Sequence, residues 1–211
     1  MFEIQYKGAN SIIISTKNSK LLVDPKLSIV GLKDLQTKDE VELATEERFA
    51  IYNPSSKLVI DGPGEYGVGD FDILGVPARR HIDTEDEGLK STMYRVEVDE
   101  SRIGIIGNID DKLSDEQLEK LGVLDILVIP VGGNGYTLDA TSAASLVRLI
   151  APKVVIPVHY ADNQTKYEVP QGELGLFIAE LGAPVETMTK YKSKQANSLQ
   201  AQLSVVELKR S

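Results

Sequence analysis

Two histidines, His81 and His159, are the only imidazoles in 211 residues. An imidazole can carry a proton near neutral pH or ligate a metal ion. No cysteine is present, which removes disulfides, thiolate nucleophiles and cysteine-ligated zinc. Adjacent carboxylates occur at Glu46-Glu47 and Asp110-Asp111. Without geometry these pairs read as solvated surface. Ser142, Asp139 and His159 formally supply a serine triad, but Ser142 lies within a predicted helix and lacks the strained turn of a nucleophile elbow. No catalytic residue is assigned on this basis.

His159 is the better placed of the two imidazoles. The stretch Leu124–Tyr160 starts with an apolar, β-branched run, Ile126–Val131, which Gly132 and Gly133 break. Thr137 or Asp139 can cap the following helix, Ala140–Ile150, in which Ala143, Leu146, Val147 and Ile150 recur at helical spacing as core residues, with Leu138 just ahead of them. Pro152 ends that helix, and Lys153–Val158 is a second buried strand leading into His159. Such a strand–helix–strand unit presents its polar residue at a strand's C-terminal end, where open α/β sheets commonly carry ligands.

The remaining chain supplies mainly strands. Phe2–Tyr6, Ile12–Ile14, Leu21–Val23 and Lys57–Ile60 read as strands, and Asp24-Pro25 ends the third. Residues 26–50 contain a charged stretch without firm period and read as a loop or weak helix. The glycines of 61–69 lead into the strand Phe71–Val76. No Gly-Lys-Ser/Thr follows them, so a tight hairpin is expected there rather than a phosphate loop. His81 follows Ala78-Arg79-Arg80 and reads as an exposed loop residue beside Asp83. Met93–Val98 and Arg102–Ile106 form a hairpin. Ser114 with Gln117 makes a capping box for Asp115–Leu121. A helix over Gln171–Leu181 stops at Gly182, a strand covers Val185–Met188, and a last strand covers Leu203–Leu208. Lys190–Gln200 is polar and reads as mobile. One α/β domain spanning 1–211 is expected.

The balance of 23 basic and 32 acidic residues gives a formal charge of −9. That argues against a broad nucleic-acid or anionic-membrane surface. The opening residues lack the layout of a signal peptide, and no apolar run approaches a membrane span. A cytoplasmic protein is expected.

Several segments, in order, resemble the metallo-β-lactamase fold superfamily, in particular its small stand-alone zinc-dependent hydrolase-like proteins. They are the opening strand with the Gly8 turn, Leu21–Pro25, Val59–Ala78, Ile105–Asp110 and above all Val128–Tyr160. The similarity covers most of the chain and is weakest over 26–55. It implies a four-layer αββα sandwich with a site on one edge.

The family's hydrolases use one or two zinc ions to lower the pKa of bound water. The resemblance therefore implies an H-x-H-x-D-H loop, which the matching region Glu46–Ile51 lacks. It implies a Gly-Asp where Gly107-Asn108 stands, and a histidine where Ala9 stands. His159 falls on the family's last metal histidine, and His81 or Arg80 on its third metal region. These substitutions lead to the expectation of a pseudo-hydrolase without resident metal. Asp24, Arg48, Arg80, His81, Asn108 and His159 would then line a remnant pocket for a small anionic ligand, since Arg48 and Arg80 repel a divalent cation. A protein partner or self-association is the other expectation for such a scaffold. The alternative is a metal-dependent hydrolase with a mononuclear, weakly bound zinc on His81 and His159, completed by Asp24, Glu46, Glu65 or Asp110.

Overall fold

The computed structural model describes residues 1–36, 38–193 and 202–211. Two sheets pack face to face. In the first, β1 (Glu3–Gly8), β2 (Ser11–Ser15) and β3 (Lys20–Val23) form an antiparallel meander, and β4 (Val41–Leu43) and β5 (Leu58–Ile60) extend it in parallel. The second begins with the antiparallel run β6 (Gly64–Val68), β7 (Phe71–Ala78), β8 (Ser91–Val98) and β9 (Ser101–Ile105). It continues in parallel through β10 (Ile126–Pro130) and β11 (Val154–Val158). Strands β12 (Val185–Met188), β13 (Tyr191–Lys192) and β14 (Ser204–Leu208) close the set. The sheet orders are β13-β1-β2-β3-β4-β5 and β12-β14-β11-β10-β9-β8-β7-β6.

One apolar core lies between the sheets, built from Ile4, Ile12, Ile14, Val23, Leu43 and Ile60 on one side and Ile73, Val96, Ile103, Val128, Ile156 and Val206 on the other. Alternation on β1 (Ile4 and Tyr6 in, Glu3 and Gln5 less so) gives that sheet one buried face. The central parallel strands β10 and β11 are buried throughout, as continuous apolar runs are when both faces are covered. A second core, including Leu127, Ile129, Leu146, Val147, Val155 and Phe177, lies on the other face of the second sheet. Helices α1 (Asp115–Leu121), α2 (Ala140–Ile150) and α3 (Leu174–Leu181) supply its outer wall. No helix among the described residues is long and apolar enough to cross a membrane.

Local chemistry explains the helix ends. Ser114 and Gln117 form the reciprocal capping box expected for α1, and Asp139 rather than Thr137 caps α2 by accepting from the Ser142 amide. Gly182 adopts the left-handed conformation that ends α3.

Four readings of the sequence need correction. The charged stretch taken for a loop contains β4, which sits between β3 and β5. Its Glu42 is fully buried and accepts from the amides of Ile51, Tyr52 and Asn53 and from Ser56 Oγ. A strand whose middle residue is a carboxylate hides its apolar pattern. Glu46, read as surface, is buried as well. Helix α3 starts at Leu174, not Gln171, whose side chain turns instead to His159. Of the polar segment 190–200, Tyr191 and Lys192 pair with Ile4 and Glu3 as β13, and residues 194–200 lie outside the described residues.

Candidate functional site

The C-terminal ends of β3, β4, β9 and β11 meet at one edge of the sandwich, beside the turn between β1 and β2. A cavity of about 220 Å³ opens there, lined by Ala9, Asn10, Asp24, Arg48, Tyr136 and His159 among others. Ala9, Asp24 and His159 all have left-handed backbones, with φ of 47°, 45° and 51°. Non-glycine residues hold that conformation at a cost of about 1–3 kcal/mol each, and it persists only where their surroundings impose it. Here the cross-link from the His159 amide to the Ala9 carbonyl (2.8 Å) joins the two sheets and helps hold the turns.

Asp24 is 4% exposed. Its two carboxyl oxygens accept from the Thr45 amide and hydroxyl, each at 2.7 Å. Burial pushes its pKa up to about 7, against the pull of the two Thr45 hydrogen bonds. His159, 3% exposed, lies between Tyr136 (5.7 Å between centroids, stacked) and Tyr167 (4.8 Å, tilted). Its Nδ1 pairs with Gln171 Oε1 at 3.2 Å, and burial pushes its pKa down to about 4. The imidazole is therefore neutral at pH 7.

Arg48 is half-buried, its guanidinium 4.7 Å from the Phe49 ring centroid and 5.2 Å from that of Tyr136. Its Nε and Nη2 lie 2.9 and 3.1 Å from the two oxygens of Glu46. Behind the cavity wall, Glu46 also faces Arg80 Nη1 (3.4 Å) and the Asn108 amide nitrogen (3.5 Å). Arg80 is committed mainly to Asp83, at 2.5 and 2.8 Å. That ion pair holds the Asp83 carboxyl below its usual range. Asn108 accepts from Asn10 Nδ2 at 3.0 Å.

The structure thus brings Asp24, Arg48 and His159 to the cavity and places Asn108 and Arg80 in a polar layer behind it. His81 is not among the lining residues. It is partly buried rather than exposed, its amide donates to the Asn108 carbonyl, and its Nδ1 has no partner among the described residues. Glu65 on β6 borders a different surface depression, and Asp110 is paired with Arg79 at 2.6 Å. Ser142 Oγ bonds Asp111 at the start of α2, away from any triad.

Asn10, Thr45, Tyr136, Tyr167 and Gln171 were not legible as site residues. Asn10 and Tyr136 flank glycine turns, which is a weak signal. Gln171 reaches His159 from a loop, and nothing in the local sequence marks it.

A divalent metal is the group this fold implies, and the residues present do not fit one. Among the described residues no group of three or more His, Cys, Asp or Glu is placed to hold a metal ion. Of the carboxylates nearest the cavity, Glu46 is held by two guanidiniums, and Asp24, oriented by Thr45, has no second carboxylate or imidazole grouped with it to complete a ligand set. A dication beside Arg48 would meet a fixed positive charge.

The chain belongs to the β-lactamase superfamily: the profile of the family described as "Beta-lactamase superfamily domain" matches residues 3–159. Its fold is the α/β fold of the metallo-β-lactamase proteins. A protein from Thermotoga maritima, proposed to be a Zn-dependent hydrolase of that superfamily, superposes with a TM-score of 0.77 over 99% of this chain and 100% of its own, at 21% identity. A metallo hydrolase from Ignicoccus hospitalis superposes with a TM-score of 0.65 over 98% and 95%, at 17% identity.

In sequence, the chain is 31% identical to a UPF0173 metal-dependent hydrolase of Archaeoglobus fulgidus over 46% of this chain and 44% of that one. It is 29% identical to another from Thermococcus onnurineus, over 58% and 60%. The chain thus matches only about half the length of these curated relatives. The expectation of a pseudo-hydrolase that only binds a ligand or partner is overturned by these relatives, which are named as hydrolases. These names favour the alternative, a metal-dependent hydrolase, although of its two imidazoles only His159 lines the cavity.

Proposed function

We propose that this protein is a hydrolase and that the cavity at the sheet edge is its substrate site. One observation carries the reading: Asp24 places a buried carboxyl with a pKa of about 7 on a cavity wall that it shares with the Arg48 guanidinium and the neutral His159 imidazole. A carboxyl so poised is half ionised at neutral pH, which suits it to take a proton from a water and return it to a leaving group. Thr45 fixes its orientation through two hydrogen bonds, so little reorganisation is needed. Arg48, held flat against Phe49 and Tyr136, offers positive charge where an oxyanion develops. Burial keeps His159 neutral against the opposing pull of the Gln171 hydrogen bond, which orients the ring, so the imidazole serves as a hydrogen-bonding wall rather than a cation.

The relatives' names support hydrolysis as the reaction class. The donor set of this chain supports acid–base chemistry by its own side chains. The test is a panel of small esters, thioesters, lactones and amides offered to purified protein at several pH values. Activity is expected to rise as pH passes through about 7, and Asp24→Asn is expected to lower it about 10²–10⁴-fold. A profile flat across that range, or an Asp24→Asn variant as active as the parent, would remove Asp24 from the reaction.

A further inference from the structure

Five planar side chains stand in contact along the cavity wall. The Arg48 guanidinium lies 4.7 Å from the Phe49 ring centroid and 5.2 Å from that of Tyr136. Tyr136 and the His159 imidazole stack at 5.7 Å with 15° between their planes, and His159 meets Tyr167 at 4.8 Å and 42°. At these spacings aromatic and cation–π pairs attract. Phe49 and His159 are buried, whereas Arg48, Tyr136 and Tyr167 are half-buried and keep part of their surface open. The Tyr167 hydroxyl is enclosed, so what that residue leaves open is not its polar end.

The rest of the apolar lining comes from Leu27, Ile29 and Val30, on the single 3₁₀ turn Leu27–Val30, and from Val169. An apolar cavity of about 150 Å³ holds benzene, so one of about 220 Å³ takes a single ring and a few further atoms. Planar π groups attract another flat ring through its quadrupole as well as its area, which a saturated ring cannot match.

We infer that the cavity selects a substrate whose body is one aromatic ring, an aryl ester or aryl amide being the simplest, with the ring packed against Tyr136 and Arg48. The inference rests on the cavity being the substrate site. It names the class of molecule that enters.

Benzyl alcohol and cyclohexylmethanol carry the same hydroxymethyl group on six-membered rings. Burial alone favours the saturated ring, which has the larger apolar surface, so a preference for the aromatic one reports the planar wall. Dissociation constants measured by ligand-observed NMR on the full chain need no turnover. The native protein is expected to hold benzyl alcohol about threefold more tightly. Tyr136→Phe, which keeps the ring, should retain that preference, and Tyr136→Leu should lose it. With a second ring, 2-naphthylmethanol is expected to bind no more tightly than benzyl alcohol. Equal affinities, a preference for cyclohexylmethanol, no binding of either probe, tighter binding of the naphthyl compound, or a preference that survives in Tyr136→Leu would overturn the inference. Should Tyr136→Leu not fold, the native comparisons decide alone. An aromatic preference without any hydrolysis would leave this selection standing while the proposed activity fails. Hydrolysis of aliphatic and aryl esters alike, with equal affinities for the two alcohols, would do the reverse.

Discussion

At the scale of single residues, Asp24 and His159 pull the pH dependence of stability in opposite directions. Asp24 has a folded-state pKa of about 7 against an ordinary value of 3.8, so the fold favours its protonated form. Its cost to the fold is absent below about 4 and complete above about 7, so stability falls as pH rises between them. His159 has a folded-state pKa of about 4 against 6.5, so the fold favours the neutral ring. Its penalty grows as pH falls from about 6.5 toward 4, so stability rises with pH over that window. In the native protein the two slopes largely cancel between about pH 4 and 6.5. Denaturant titrations across this range should show Asp24→Asn with stability rising with pH, and His159→Gln with stability falling. Parallel curves for both variants and the parent would contradict the assignment of either shift to burial.

At the scale of elements, the site is made by turns that leave strand ends. Gly132, just after β10, has no room for a side chain: a Cβ there would strike the His159 carbonyl oxygen and Gln171 Oε1. Gly132→Ala should therefore cost about 1–3 kcal/mol by overpacking and loosen the Gln171–His159 pair. The check is thermal stability together with the His159 ring resonances, which should shift. A variant unchanged in both would mean the turn is plastic.

β4 makes the same point through Glu42. Glu42→Ala leaves three amides without their shared acceptor and should destabilise by more than a typical single substitution, above about 2 kcal/mol by denaturant titration. A change below about 0.5 kcal/mol would show that these amides find other partners.

These elements also show what the sequence made legible. The β10–α2–β11 unit was readable because its apolar runs, Asp139 cap and Pro152 stop agree with one another, and His159 followed from it. β4 was not, since a buried carboxylate interrupts a three-residue strand. Asn10 and Gln171 meet the site residues Asn108 and His159 from 98 and 12 residues away, and local pattern carries no record of such pairings.

For the whole molecule, the sandwich is that of the metallo-β-lactamase proteins, yet the edge that carries the cavity holds Arg48 paired with Glu46 and, behind it, Arg80 paired mainly with Asp83. Any ligand that binds the native state alone stabilises it by RT ln(1 + [L]/Kd) and so raises the melting temperature. Saturating zinc, manganese or ferrous iron should leave the melting temperature of this protein unchanged, as read by differential scanning calorimetry. A rise with any of them, abolished in His159→Gln, would reveal a metal site that the described residues do not form.

The most direct test of the account is the pH–rate profile for hydrolysis of the best substrate from the ester and amide panel, measured on protein freed of metal by a chelator. The account predicts turnover that persists after chelation, climbs through about pH 7 and is lost in Asp24→Asn. Turnover that vanishes on chelation and returns with metal, or that is indifferent to Asp24, would contradict it.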